Sequence, residues 1–164
     1  MFKKGDLVLY SAHGVCKIDD ICEKTISYVT KSYYILHPME DNKLSISIPV
    51  DNDKVSILEL LTKEEAGIIL ESFKDDGAEW INIDKDRSEK YNEVIKQGNR
   101  TEIAKIVNTL MKEKNSLENN GKKFHEKDKK MLLGVQNTLF SELAFLLDTT
   151  RDEIEKKVSG YVNI

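Results

Sequence analysis

Leu44-Ser45-Ile46-Ser47-Ile48-Pro49 is the stretch on which the reading of the first half turns. Apolar and polar residues alternate strictly, which places Leu44, Ile46 and Ile48 on one face of a strand and Ser45 and Ser47 on the other. Pro49 has no N–H to donate and is expected to end the ladder. Upstream, Asp6 to Tyr10 reads as a short apolar strand. It is closed by the turn Ser11-Ala12-His13-Gly14, where Gly14 supplies a positive φ. Val15 to Cys22 and Lys31 to His37 read as two more strands, and Asp41-Asn42 marks the next turn. Four or five short strands in some 55 residues predict a small, strongly bent sheet or barrel.

Downstream of Pro49 the period changes. Thr62-Lys63-Glu64-Glu65 is a capping box ahead of Ile68, Ile69, Leu70 and Phe73. A helix is expected from Asp84 or Asp86 to a C-terminal glycine at Gly98. Thr101 is expected to cap the next, in which Ile103, Ile106, Val107, Leu110 and Met111 repeat at helical spacing. Asn115 to Lys123 reads as a loop, Glu126 to Leu147 as a long helix, and Thr150 with Glu153 as the cap of a last short one. The expected class is α+β, with an all-β domain over residues 1–57 and an all-helical domain over 58–164.

Composition narrows the function. The chain has 164 residues, 40% hydrophobic and 33% charged, with a mean hydropathy of −0.46, as in a soluble globular protein. Its longest apolar run, Leu143 to Leu147, is far short of the ~20 residues of a membrane span. The charged start Met1 to Asp6 lacks the apolar core of a signal peptide, so Cys16 and Cys22 are expected as reduced thiols in a cytoplasmic protein. Lying six apart on one predicted strand, they are expected on one face, about 20 Å apart and unable to pair. The net charge of −4 argues against coating nucleic acid by charge alone. Residues 85–130, however, hold 13 Lys/Arg against 8 Asp/Glu. That local excess reads either as a solvated helical surface or as a phosphate-facing patch.

Catalytic and phosphate-loop motifs are absent, and His13, His37 and His125 have no metal-ligand spacing. No enzyme, cofactor, metal site or small-molecule substrate is expected. Trp80 stands out instead. The only tryptophan, it sits in the polar stretch Asp75 to Asn82 rather than on an apolar stripe. It is either folded back on the helical core or exposed for recognition. A stiff ring beside a basic segment is what wedging into a base step requires.

Phe2-Lys3-Lys4-Gly5-Asp6-Leu7-Val8-Leu9-Tyr10, His13-Gly14-Val15, Tyr33-Tyr34-Ile35-Leu36 and Leu44 to Pro49 together resemble the RNA-polymerase-interacting domain of the CarD family of bacterial transcription regulators, found also in the transcription-repair coupling factor. With the helical half and its tryptophan, the resemblance covers essentially the whole chain. It implies a Tudor-like barrel that docks edge-on to the polymerase β subunit through the Leu44, Ser45, Ile46, Ser47, Ile48 strand, with Lys24 as a basic contact on the adjacent hairpin. It further implies a helical domain on promoter DNA at the upstream edge of the bubble. There Trp80 would insert at the minor groove, and Lys85, Arg87 and Lys90 would hold phosphates. A cytoplasmic protein joined to the nucleoid through polymerase would follow.

Two positions depart from the family pattern. In relatives the tryptophan is followed almost at once by paired arginines and a tyrosine, whereas Ile81 to Lys90 separates Trp80 from Tyr91 here. Ser47 stands where the family carries a polymerase-contacting arginine. A non-enzymatic protein-interaction module, or an RNA-binding translation factor on an SH3-like or Tudor-like barrel, remains open as an alternative.

Overall fold

The computed structural model describes residues 1–54 and 57–164. They divide into two compact units, Met1–Leu60 and Leu61–Ile164. The boundary expected after residue 57 would cut a strand, and lies three residues later.

The first unit is one antiparallel sheet of five strands: β1 (Leu7–Tyr10), β2 (Gly14–Ile26), β3 (Val29–Pro38), β4 (Ile46–Pro49) and β5 (Ile57–Glu59). Their order is β4-β3-β2-β1-β5, so β4 and β5 are both edges and the ladder is open. The sheet nonetheless curls, because Ile48 and Ile46 of β4 and Ile57 of β5 face the same core as Val8, Cys16, Ile18, Tyr34 and Leu36. Gly14 turns the chain with φ +72°, as its position predicted.

Three details differ from the expected strands. The second and third strands are longer than their apolar segments, running on to a two-residue turn at Ser27-Tyr28. β4 begins only at Ile46: Leu44 and Ser45 lie ahead of it, and the Leu44 N–H closes the preceding turn on the Asp41 carbonyl. Pro49 does not end the pairing. It stands opposite Tyr33, and the Val50 N–H still reaches the Ser32 carbonyl at 2.9 Å. Pro49 is tolerated because its nitrogen faces the free edge, where no ladder bond is due.

A β-bulge at Asp19 overturns one expectation. Ile18 pairs with Leu36 but Asp20 with Ile35, so Asp19 is extra and the facing pattern of β2 inverts beyond it. Cys16 is fully buried in the core, and burial pushes its thiol up to about 11. Cys22, beyond the bulge, lies half-buried on the opposite face.

The second unit contains α1 (Lys63–Glu71), a 3₁₀ turn (Ser72–Lys74), α2 (Asp84–Gln97), α3 (Arg100–Asn119), α4 (Glu126–Leu146) and α5 (Arg151–Tyr161). The Thr62–Glu65 box is complete: the Glu65 N–H donates to Thr62 Oγ1, and the Thr62 N–H to Glu65 Oε2. Asn99, not Thr101, caps α3, accepting from the N–H groups of Thr101 and Glu102 directly after the left-handed Gly98. The loop expected over Asn115 to Lys123 is mostly helix. Leu117 packs on the core and holds α3 helical to Asn119, where Gly121 at φ +69° ends it. The Lys122 N–H then donates to the Leu117 carbonyl and that of Gly121 to Glu118, a Schellman closure. Phe73 meets Phe140 edge-on at 6.2 Å in the middle of this core.

Candidate functional site

The open edge at β4 places Ser47 distinctively. Ile48 and Ile46 stand opposite Tyr34 and Leu36, and the inward Val50 N–H fixes the alternation. Ser47 is therefore the strand residue whose N–H and C=O face outward, available to a further strand. On the outer face, Lys24 Nζ donates to Ser47 Oγ at 2.7 Å and lies 5.9 Å from the Tyr33 ring centroid. Lys24 and Ser47, 23 residues apart, thus share one patch. Ile46 and Ile48 turn into the core, while Leu44 is exposed beside the strand rather than in it.

The segment carrying Trp80, from Asp75 to Ile83, has no helix or strand of its own, yet its carbonyls are held one after another. Asn108 Nδ2 on α3 donates to the Phe73 and Asp75 carbonyls at 3.2 and 3.1 Å, and Thr109 Oγ1 to that of Ala78 at 2.7 Å. The Ala78 N–H returns a bond to the Lys105 carbonyl at 3.0 Å. Tyr91 Oη donates to the Glu79 carbonyl at 2.6 Å, and Arg87 Nη1 to that of Ile81 at 2.7 Å. The ten residues between Trp80 and Tyr91 are therefore closed up in space. Gly77 is the point of closest approach: a Cβ there would lie 2.3 Å from Thr109 Oγ1 and 3.1 Å from the Lys105 carbonyl.

Trp80 itself is half-buried. It packs on the helical core, and the Arg87 guanidinium lies 4.1 Å from its ring centroid. Neither reading of the sequence describes it fully, since the ring is braced without being sunk.

Arg87 is corrected. Expected as a phosphate contact, it is 2% exposed and committed internally. Its Nε and Nη2 grip Asp128 at 3.0 and 2.5 Å, and Nη2 also reaches Asp84 at 2.8 Å. The Asp128 hydrogen bond raises the affinity of Arg87 for its proton, and the Arg87 bond is the main cause holding Asp84 below the ordinary carboxylate value. Burial pushes the neighbouring Tyr91 phenol up to about 12.

Lys85 and Lys90 are exposed on α2. Sequence reasoning missed the contribution of α4. His125 Nε2 stands 3.2 Å from Asp84 Oδ2, the charge of Lys127 also acts on Asp84, and Lys122, Lys123 and Lys127 are exposed around the start of the helix. The legible signal was Asp128 itself. It lies four residues from both Phe124 and Leu132 on a buried stripe, where an acid stays only if paired.

Among the described residues, no cluster of His, Cys, Asp or Glu is arranged to hold a metal ion, and no helix is long and apolar enough to cross a membrane. Residues 2–60 match the CarD-like/TRCF RID domain, and residues 69–159 match the CarD C-terminal domain. The chain is also 28% identical over 156 residues to the candidate transcription factor YdeB of Bacillus subtilis (strain 168), covering 94% of this chain and 98% of that protein. With both halves matched in order, the chain belongs to the CarD family of transcription regulators.

Proposed function

We propose that this protein binds the RNA polymerase β subunit and promoter DNA together and stabilises the open complex without catalysing a reaction. The first unit supplies the polymerase contact. Ser47 offers its outward N–H and C=O for strand addition, a mode in which main-chain bonds give affinity without demanding a particular side chain. That suits a chain with serine where relatives have arginine, and Lys24 beside it provides the positive charge. The second unit supplies the DNA contact, with Trp80 at the minor groove and Lys85, Lys90 and the lysines around the start of α4 toward phosphates. Arg87 acts here as a positioning residue rather than a phosphate ligand.

The observation that carries this reading is the braced, half-exposed Trp80 ring. Inserting an apolar wedge costs a few kcal/mol in unstacking unless the duplex is already opening, so a pre-set ring favours the melted state. Tethering to polymerase raises the local concentration of a weakly basic domain to about the millimolar range, so two weak contacts act as one. An equilibrium is shifted only by differential affinity, and the ring supplies it.

The test is Trp80→Ala in the full-length protein, read by open-complex lifetime and by binding to core polymerase. Open complexes should decay faster, corresponding to a loss of about 1–3 kcal/mol by comparison with base–aromatic stacking, while polymerase affinity is retained. Unchanged lifetimes with a folded variant reject the wedge.

A further inference from the structure

Beyond Ser32 the β2–β3 ladder continues through Lys24 opposite Lys31, Thr25 opposite Thr30 and Ile26 opposite Val29, without a third strand among the described residues. This free arm extends about 10 Å past the sheet. Its two faces differ. One carries Glu23, Thr25, Thr30 and Ser32, with the two threonine hydroxyls bonded at 2.8 Å. The other carries Ile26 and Val29, 57% and 54% exposed, backed by Lys24 and Lys31. This second face is the one on which Lys24 reaches Ser47.

Three features of the arm are unfavourable within the chain alone. Ser27 and Tyr28 both sit at positive φ, +51° and +65°, in a two-residue turn where Asn-Gly is the least strained choice. Tyr28 gains nothing there, since its side chain is fully exposed. Lys24 and Lys31 stand directly opposite each other, a like-charge pair that weakens a ladder. A bound surface that covers the apolar tip and presents carboxylates to the lysines relieves the exposure and the like-charge pair, and gives the strained turn a reason to hold Tyr28 outward.

We propose that this arm extends the polymerase-binding surface, with Tyr28, Ile26 and Val29 seated in an apolar depression rimmed by acidic side chains on the polymerase. The proposal rests on the strand-edge reading and is continuous with it, since the two lie on one sheet and share Lys24. Charge selects this occupant. A second copy packed on the same face would bring four lysines together. Nucleic acid would meet only two lysines beside an apolar tip on this face, too little charge to hold a backbone.

The experiment measures binding of full-length variants to purified core RNA polymerase, with melting temperature and sedimentation as companions. Tyr28→Gly removes the ring from a position that glycine tolerates better, so melting should be unchanged or raised while binding weakens about tenfold, the effect of losing one interface anchor. Ile26→Ser/Val29→Ser should weaken it similarly, and Lys31→Glu should lower affinity most at low salt. If all three bind like wild type while Ser47→Pro weakens binding, the arm proposal is overturned and the edge reading stands. If wild type does not bind polymerase, both fall. If instead the arm variants abolish self-association and spare polymerase binding, the occupant is a second copy and the proposal is wrong.

Discussion

Arg87 and Asp128, 41 residues apart, form a bidentate pair with both side chains under 5% exposed, and the guanidinium stacks on Trp80. One cation thus joins α2, α4 and the tryptophan segment. A buried pair of this kind adds little over an apolar substitute, but breaking it leaves an uncompensated charge.

Arg87→Ala should accordingly destabilise the helical unit by about 3–5 kcal/mol in urea unfolding, far more than the ~0.5 kcal/mol typical of a surface change. Replacing both partners, Arg87→Met with Asp128→Leu, should recover most of that loss. A single Arg87 substitution that left stability untouched and only flattened the salt dependence of DNA binding would restore the phosphate-contact reading.

Gly77→Ala should push the tryptophan segment off α3. Thr109 Oγ1 can rotate away from the new methyl, but the Lys105 carbonyl at 3.1 Å is backbone and cannot. An overpacking cost of about 1–3 kcal/mol is expected. The emission of Trp80, the chain's only tryptophan, should shift to the red as its bracing loosens.

Alkaline pH should act through Tyr91. Its phenol is pushed up to about 12 in the folded chain, above the ordinary value near 10. The neutral form is the one the fold favours, so its contribution is fully present below about pH 10 and is lost as pH rises toward 12. Stability should fall across that window, and Tyr91→Phe should lessen the fall. Absorbance at the phenolate band should show a late-ionising component that is missing from Tyr91→Phe.

Ser47→Pro removes an outward N–H that the sheet itself does not use, so the first unit should stay folded. Polymerase binding should nonetheless weaken, as a pull-down with residues 1–60 would register. Retention of polymerase by residues 61–164 alone would contradict the edge assignment.

What the sequence determined by itself was what depends on local periodicity. The alternation at Leu44 to Ile48, the Thr62–Glu65 box and the apolar spacing from Ile103 to Met111 each follow from one segment's own geometry. They mark the capped helix and the buried helical face where these occur, and the strand too, though it starts only at Ile46. Likewise Trp80 was legible because a tryptophan outside any apolar stripe is visible without a partner, whereas Pro49, read as the end of the ladder, continues it along a free edge that only the strand order reveals. The tertiary structure alone decided which way side chains faced once distant segments met. The bulge at Asp19 exists only against the register of β3, and it turned Cys22 away from Cys16. Arg87 looked like a surface cation because its neighbours along the chain are charged. It is buried because Asp128, on another helix, compensates its charge, and long-range electrostatic pairing leaves no period to read.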